Sequence, residues 1–124
     1  MVQLDETFLE VLKHEGPVTI ITVNAHPAHV VNTWMSYVSL KDNQLFIPAA
    51  GMHSIEGDFP TDNHVTLTFG SKEVMGTVGS GAGFHVHGTG HFVEEGPDFD
   101  AKKASFPWLT RMLVVTIEDV QQKI

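Results

Sequence analysis

A chain of 124 residues, 42% of them hydrophobic, suits one domain spanning 1–124 with a core of its own, which excludes wholesale disorder. A formal charge of −8 with seven scattered Lys and Arg leaves no basic stripe for nucleic acid, and the lack of cysteine removes disulfides, thiolate catalysis and cysteine-ligated metal centres. No apolar run is long enough to cross a bilayer, and Met1-Val2-Gln3-Leu4-Asp5-Glu6 lacks the basic-then-apolar order of a signal peptide, so a cytoplasmic address without membrane contact is expected.

In chain order, Asp5 to Glu15 reads as a short helix. Leu4, Phe8, Leu9, Val11 and Leu12 form its apolar stripe, Gly16 suits its end, and Pro17 stops it. Val18–Val23 is β-branched and reads as a strand, Asn24–Ala28 as a turn, and His29–Leu40 as a long second strand. Lys41–Gln44 is a hairpin turn into the strand Leu45–Ala49. Ser54–Pro60 is a short or distorted helix with Ser54 as its N-cap. His64–Phe69 alternates cleanly as a fourth strand, and the glycine-rich Gly70–Gly83 reads as an irregular loop. Phe84–Glu94 is a fifth strand, Pro97–Phe106 a helix, and Arg111–Ile117 a last strand before a polar tail. Six strands, hairpin links and no βαβ spacing predict a mainly β domain, closed as a small antiparallel barrel.

Two pieces carry candidate chemistry. In Val31-Asn32-Thr33-Trp34-Met35-Ser36-Tyr37, period two puts Asn32, Trp34 and Ser36 on one face and Val31, Thr33, Met35 and Tyr37 on the other. Asn is disfavoured in mid-strand unless its amide is used, and Trp34 beside it offers a stacking surface. In Ala49-Ala50-Gly51-Met52-His53-Ser54, small residues leave backbone N–H groups uncovered, Gly51 allows an unusual backbone, and a helix start follows. Together they describe a polar-and-aromatic wall beside an anion seat, a shape for an aromatic nucleotide phosphate.

Other features are weaker. The loop Gly70–Gly83 is neither a Walker loop nor a dinucleotide fingerprint, because no Gly-Lys-Ser/Thr ends it and a strand follows it. His85, His87 and His91 share one strand face, the first two about 6.6 Å apart along the chain. They read first as a polar face and second as metal or haem ligands. Serines and histidines abound, but no nucleophile elbow marks a triad.

These residues identify a resemblance. The chain is similar to the small bacterial FMN-binding proteins of the split-barrel flavoprotein superfamily, relatives of pyridoxamine 5′-phosphate oxidase and flavin-reductase-like domains. The likeness runs through Thr7 to Lys13, Val31-Asn32-Thr33-Trp34 with Ser36-Tyr37, Gly51-Met52-His53, Gly70-Ser71-Lys72, Gly81 to Phe84, Gly96-Pro97 and Trp108. It implies a homodimer of six-stranded antiparallel split β-barrels with two or three short helices and one FMN per subunit near the interface. It places Val31, Asn32, Thr33 and Trp34 along the flavin ring, and Tyr37 and Trp108 close to it. Ala49, Ala50, Gly51, Met52, His53 and Ser54 cradle the phosphate, and Pro48, Ser71 and Lys72 complete the cofactor set. Ile124 is implied to reach the partner subunit's flavin. Similar proteins often carry Lys where this chain has Ser54, and Arg where it has His87. Electron transfer to an unidentified redox partner or small-molecule reductant is the expected function. The alternatives are an FMN-dependent oxidoreductase acting with NAD(P)H or an amine-like substrate, a haem-binding split barrel, and a deazaflavin cofactor.

Overall fold

In the computed structural model, residues 3–124 are described; Met1 and Val2, part of the N-terminal stretch read above, lie outside the described residues. The first helix, α1, covers Glu6–Val11 and is capped by the Asp5 carboxylate, which accepts the Phe8 amide at 2.9 Å. It is shorter than the expected Asp5–Glu15. Leu12 already serves as its C-cap, and the Glu15 carboxylate turns away to bind Ser36. Phe8 and Val11 are fully buried, and the Phe8 ring meets Phe69 and Phe84 edge-on at 5.6 and 5.4 Å.

Among the described residues seven strands follow: β1 Pro17–Thr22, β2 His29–Trp34, β3 Ser39–Lys41, β4 Gln44–Ala49, β5 His64–Met75, β6 Ser80–Val93 and β7 Arg111–Gln122. They form one antiparallel sheet in the order β2-β1-β5-β6-β7-β4-β3. Two further helices complete the fold, α2 at His53–Asp58 and α3 at Pro97–Ser105. The sheet's outermost strands, β2 and β3, are joined in the chain by only Met35 to Val38. Seven strands laid flat would separate those edges by about 29 Å at the usual spacing. The link from Trp34 to Ser39 spans at most about 18 Å. The sheet therefore curls until its edges approach, which is the split-barrel form.

That closure corrects two expectations. The sheet has seven strands rather than six, because the predicted second strand is interrupted by a 3₁₀ turn at Met35–Tyr37. Alternation holds through Thr33 (buried) and Trp34 (exposed). The 3₁₀ turn then resets the faces, so Tyr37 does not continue the Val31–Thr33 row.

A third correction concerns Gly70–Gly83. It is not a loop but the far half of a long hairpin, closed by a bond from the Gly76 amide to the Gly79 carbonyl at 2.7 Å. β7 likewise runs on through the expected polar tail to Gln122, which pairs with Phe84. Backbone pairing to β6 decides both cases against local propensity. Gly88 is required by close approach: a Cβ there would collide with the Thr116 carbonyl, beside the bulge where β7 carries an extra residue, Glu118.

Inward residues of β1, β4, β5, β6 and β7 pack with Phe8, Met35 and Ile55 into the main core. A smaller cluster of Phe46, Phe99, Leu109, Met112 and Val114 lies where α3 covers the outer face of β4 and β7. Each fully buried Leu, Ile or Phe contributes about 1.5–3 kcal/mol of burial. No helix among the described residues is long and apolar enough to cross a membrane.

Candidate functional site

An open cleft of about 280 Å³ lies by the seam between the sheet edges. It is lined by Val31, Asn32, Thr33 and Trp34 of β2, Tyr37 of the 3₁₀ turn, Pro48 of β4, the turn residues Ala50, Gly51 and Met52, and Trp108. The two pieces singled out in the sequence thus meet at one place.

Several bonds fix the walls. Thr19 on β1 donates its hydroxyl to the Asn32 side-chain oxygen at 2.7 Å, which leaves the Asn32 NH₂ as a donor group. The 3₁₀ turn is anchored by the Met35 amide on the Gly16 carbonyl at 2.8 Å. Glu15 accepts the Ser36 amide at 2.9 Å and the Ser36 hydroxyl at 2.6 Å, and these bonds hold its carboxyl below the usual range. Tyr37 is thereby set into an aromatic group, 5.0 Å from Phe106 and 5.5 Å from Trp108, with Phe106 and Trp108 5.7 Å apart. Trp34 and Trp108 keep 49% and 46% of their surface exposed, unusual for the largest side chains of a small domain.

The end wall is the turn after β4. Met52, not Gly51, adopts the left-handed backbone, with φ 64° and ψ 28°. Met52 is also the cap position of α2, and Ser54 is the helix's second residue rather than its N-cap. The expected bend is therefore present but one or two residues displaced, because the main chain must leave β4 and enter α2 within Ala50–Met52. A Cβ at Gly51 would meet nothing within 4 Å, so side chains do not wall off the bend.

Behind this turn stands a group that the sequence shows only as one of its scattered cations. Arg111, the first residue of β7, is 7% exposed. It donates to the carbonyls of Gly51 (2.5 Å) and Ala50 (3.4 Å) and to the Thr110 hydroxyl (2.8 Å). It is paired with Glu56 of α2 at 2.9 Å, and its guanidinium lies 5.0 Å from the Phe92 ring centre.

The remaining expected residues fall elsewhere. Ala49 is buried under the turn and accepts the Thr110 amide at 2.8 Å. His53 and Ser54 are exposed at the start of α2. Ser71 and Lys72 lie on the far half of β5, and the Ile124 main chain exchanges bonds with Gly83 at the hairpin end. This chain alone does not bring those three to the cleft. His85 and His87 alternate outward from the core, His87 sits 3.2 Å from Asp119, and His91 is exposed. Among the described residues no three His, Asp or Glu could hold a metal.

A second recess of about 160 Å³ lies between β1 and α2. Its carboxylates are engaged internally. Thr22 and His29 bind Asp58 and lower its carboxyl, while His64 and Asn24 bring Asp62 down to about 2 and Asp62 raises His64.

No protein-family model matches the chain. The FMN-binding protein of Nitratidesulfovibrio vulgaris (strain DSM 19637 / Miyazaki F) is 41% identical to it over 122 residues, covering 98% of this chain and 99% of that protein. The chain belongs to the FMN-binding protein family. Solved structures share the family's fold at low identity. HupZ of Group A Streptococcus has a TM-score of 0.77 at 12% identity, covering 97% of this chain and 94% of that one. An FMN-binding protein from Syntrophomonas wolfei subsp. wolfei has a TM-score of 0.65 at 16% identity, covering 86% and 76%.

Proposed function

We propose that this protein binds FMN in the seam cleft and serves as an electron carrier, working as a homodimer. The observation that carries the reading is the composition of the cleft. Aromatic faces, one side-chain amide and uncovered backbone converge there, and the lining holds no Lys, Arg, His, Asp or Glu. That suits a flat ring with a phosphate tail, and it supplies no side chain with a working acid or base near neutral pH. The relative at 41% identity, named for FMN binding, supports the cofactor.

Bound FMN would supply one- and two-electron redox chemistry. The chain's own residues bind and orient it. Asn32 offers its NH₂ to the polar edge of the ring, Thr33 lies buried at the wall, and Trp34, Tyr37 and Trp108 give apolar faces. The amides of the Gly51–Met52 turn meet the phosphate.

Size and exposure support the dimer. A cleft of about 280 Å³ is at the small end of ligand sites, which run to about 1,000 Å³. Elsewhere the hairpin end presents Met75, Val78 and Ile124, 69%, 95% and 57% exposed, a grouping that monomers rarely leave bare. In a homodimer, Ile124 with Ser71 and Lys72 would close the partner's cleft. The purified protein should be yellow, or should quench flavin fluorescence when titrated with FMN. A colourless protein that leaves added FMN unquenched overturns the proposal.

A further inference from the structure

We infer that Arg111, held by Glu56, is a positioning residue that turns the Gly51 and Met52 amides toward a phosphate group. The inference rests on the FMN reading and names what selects the phosphorylated flavin.

The geometry is that of a peptide lever. In a trans peptide the carbonyl and the following N–H point in opposite directions. The Ala50 carbonyl shares its peptide with the Gly51 N–H, and the Gly51 carbonyl shares its peptide with the Met52 N–H. Arg111 draws both carbonyls to one side, at 3.4 and 2.5 Å. The two N–H groups then face the other side, where the turn lines the cleft. Among the described residues neither N–H donates to a backbone or side-chain acceptor. The open space at Gly51 leaves the approach clear. A cation bound at the carbonyl end also polarises the peptide and strengthens its N–H as a donor.

Two further facts fit a functional role. Arg111 Nε is buried without a partner among the described residues, a cost to stability that core packing does not require. Met52 is held in a left-handed backbone that a side-chain-bearing residue adopts rarely, and such residues cluster where a site needs them. The chain also needs such a device. Its charge is −8, and among the described residues no cation of the same chain lines the cleft, so oriented amides are what this chain itself offers a dianion. Glu56 neutralises the buried guanidinium and does not line the cleft.

The test compares FMN with riboflavin, which lacks the phosphate, by fluorescence-quenching titration of wild type, Arg111→Gln, Arg111→Lys and Glu56→Gln, with circular dichroism melts on each. Wild type should prefer FMN. Arg111→Gln should weaken FMN about twentyfold and riboflavin less than about twofold, and Arg111→Lys, a point charge without the fork, should fall between. Glu56→Gln, which keeps the guanidinium but loses the carboxylate that holds it against the two carbonyls, should weaken FMN by about threefold and serves if the Arg111 variants fail to fold. Equal loss of both ligands in any folded variant, or FMN affinity unchanged in all of them, overturns the inference. Wild type binding FMN and riboflavin equally overturns it while leaving the flavin reading intact. Wild type binding neither removes the flavin reading itself.

Discussion

The seam cleft and the hairpin end differ in how far one chain completes them. The cleft is assembled from hydrogen-bonded supports. Thr19 fixes Asn32, Glu15 fixes the 3₁₀ turn, and Arg111 fixes the Ala50–Met52 turn, so its walls are set before anything binds. At the hairpin end β5 and β6 still pair, across a register shift between Ser71 and Met75, yet Met75, Val78 and Ile124 project into solvent. Order of backbone and completeness of a site are separate properties. A site can have its walls set within one chain, or wait for a second surface.

The largest expected effect breaks that second case. Val78→Asp combined with Ile124→Asp places charge on the proposed contact without touching the core, since Val78 is 95% exposed. Dimer association should weaken by at least about a hundredfold, read by sedimentation equilibrium, from two charges desolvated in an apolar interface. The melting temperature of the isolated chain should hardly change. A variant that stays fully dimeric would show that the hairpin end is not the interface, and a wild type that is monomeric at every concentration would remove the dimer altogether.

Next in size is the cleft's aromatic wall. Trp108→Ala removes a half-exposed indole whose neighbours are Tyr37 and Phe106. Aromatic stacking on a planar ring contributes about 1–3 kcal/mol, so FMN affinity should fall roughly thirtyfold. FMN and riboflavin should suffer alike, in contrast to the phosphate-selective loss expected at Arg111. Unchanged riboflavin affinity would put the ring elsewhere.

The two regions were also unequally legible. Asn32-Thr33-Trp34 and Ala49 to Met52 are contiguous stretches with local signatures, period two in one and small residues in the other, so the sequence alone marks them. Arg111 is invisible by that route. Its partners are Ala50, Gly51 and Glu56, far away in the chain, and only the β4–β7 pairing of Ala49 with Arg111 brings it there. The glycines of 70–83 misled because Gly disfavours strands locally, whereas long cross-strand pairing overrides propensity. The break at Met35–Tyr37 has no sequence signal, because it is imposed by the need for β2 and β3 to sit on opposite edges of one sheet. Residues whose role depends on distant partners are the ones a linear reading loses.

A milder perturbation of the cleft comes from its support at Glu15. Glu15→Gln keeps the shape but removes the charge that receives the Ser36 amide and hydroxyl, and FMN affinity should drop about threefold. The core is untouched, so the melting temperature should shift little.

The smallest effect is the pH dependence of that same support. The Ser36 hydroxyl, then its amide, hold the Glu15 carboxyl below its ordinary value of 4.5. A depressed carboxylate contributes stability that is fully present above the unfolded value and is lost as pH falls through the folded one. The 3₁₀ turn should therefore loosen only in acid below about pH 4.5, and Tyr37 should then move relative to Trp108. Tryptophan emission in a Trp34→Phe background reports that contact without the phosphate's own titration near pH 6. A small transition below pH 4.5 that Glu15→Gln abolishes is the expected result. A transition that survives the substitution would assign the loosening to another carboxylate, for which Asp58 and Asp62, both held low by neighbours on β1, β2 and β5, are the next to replace.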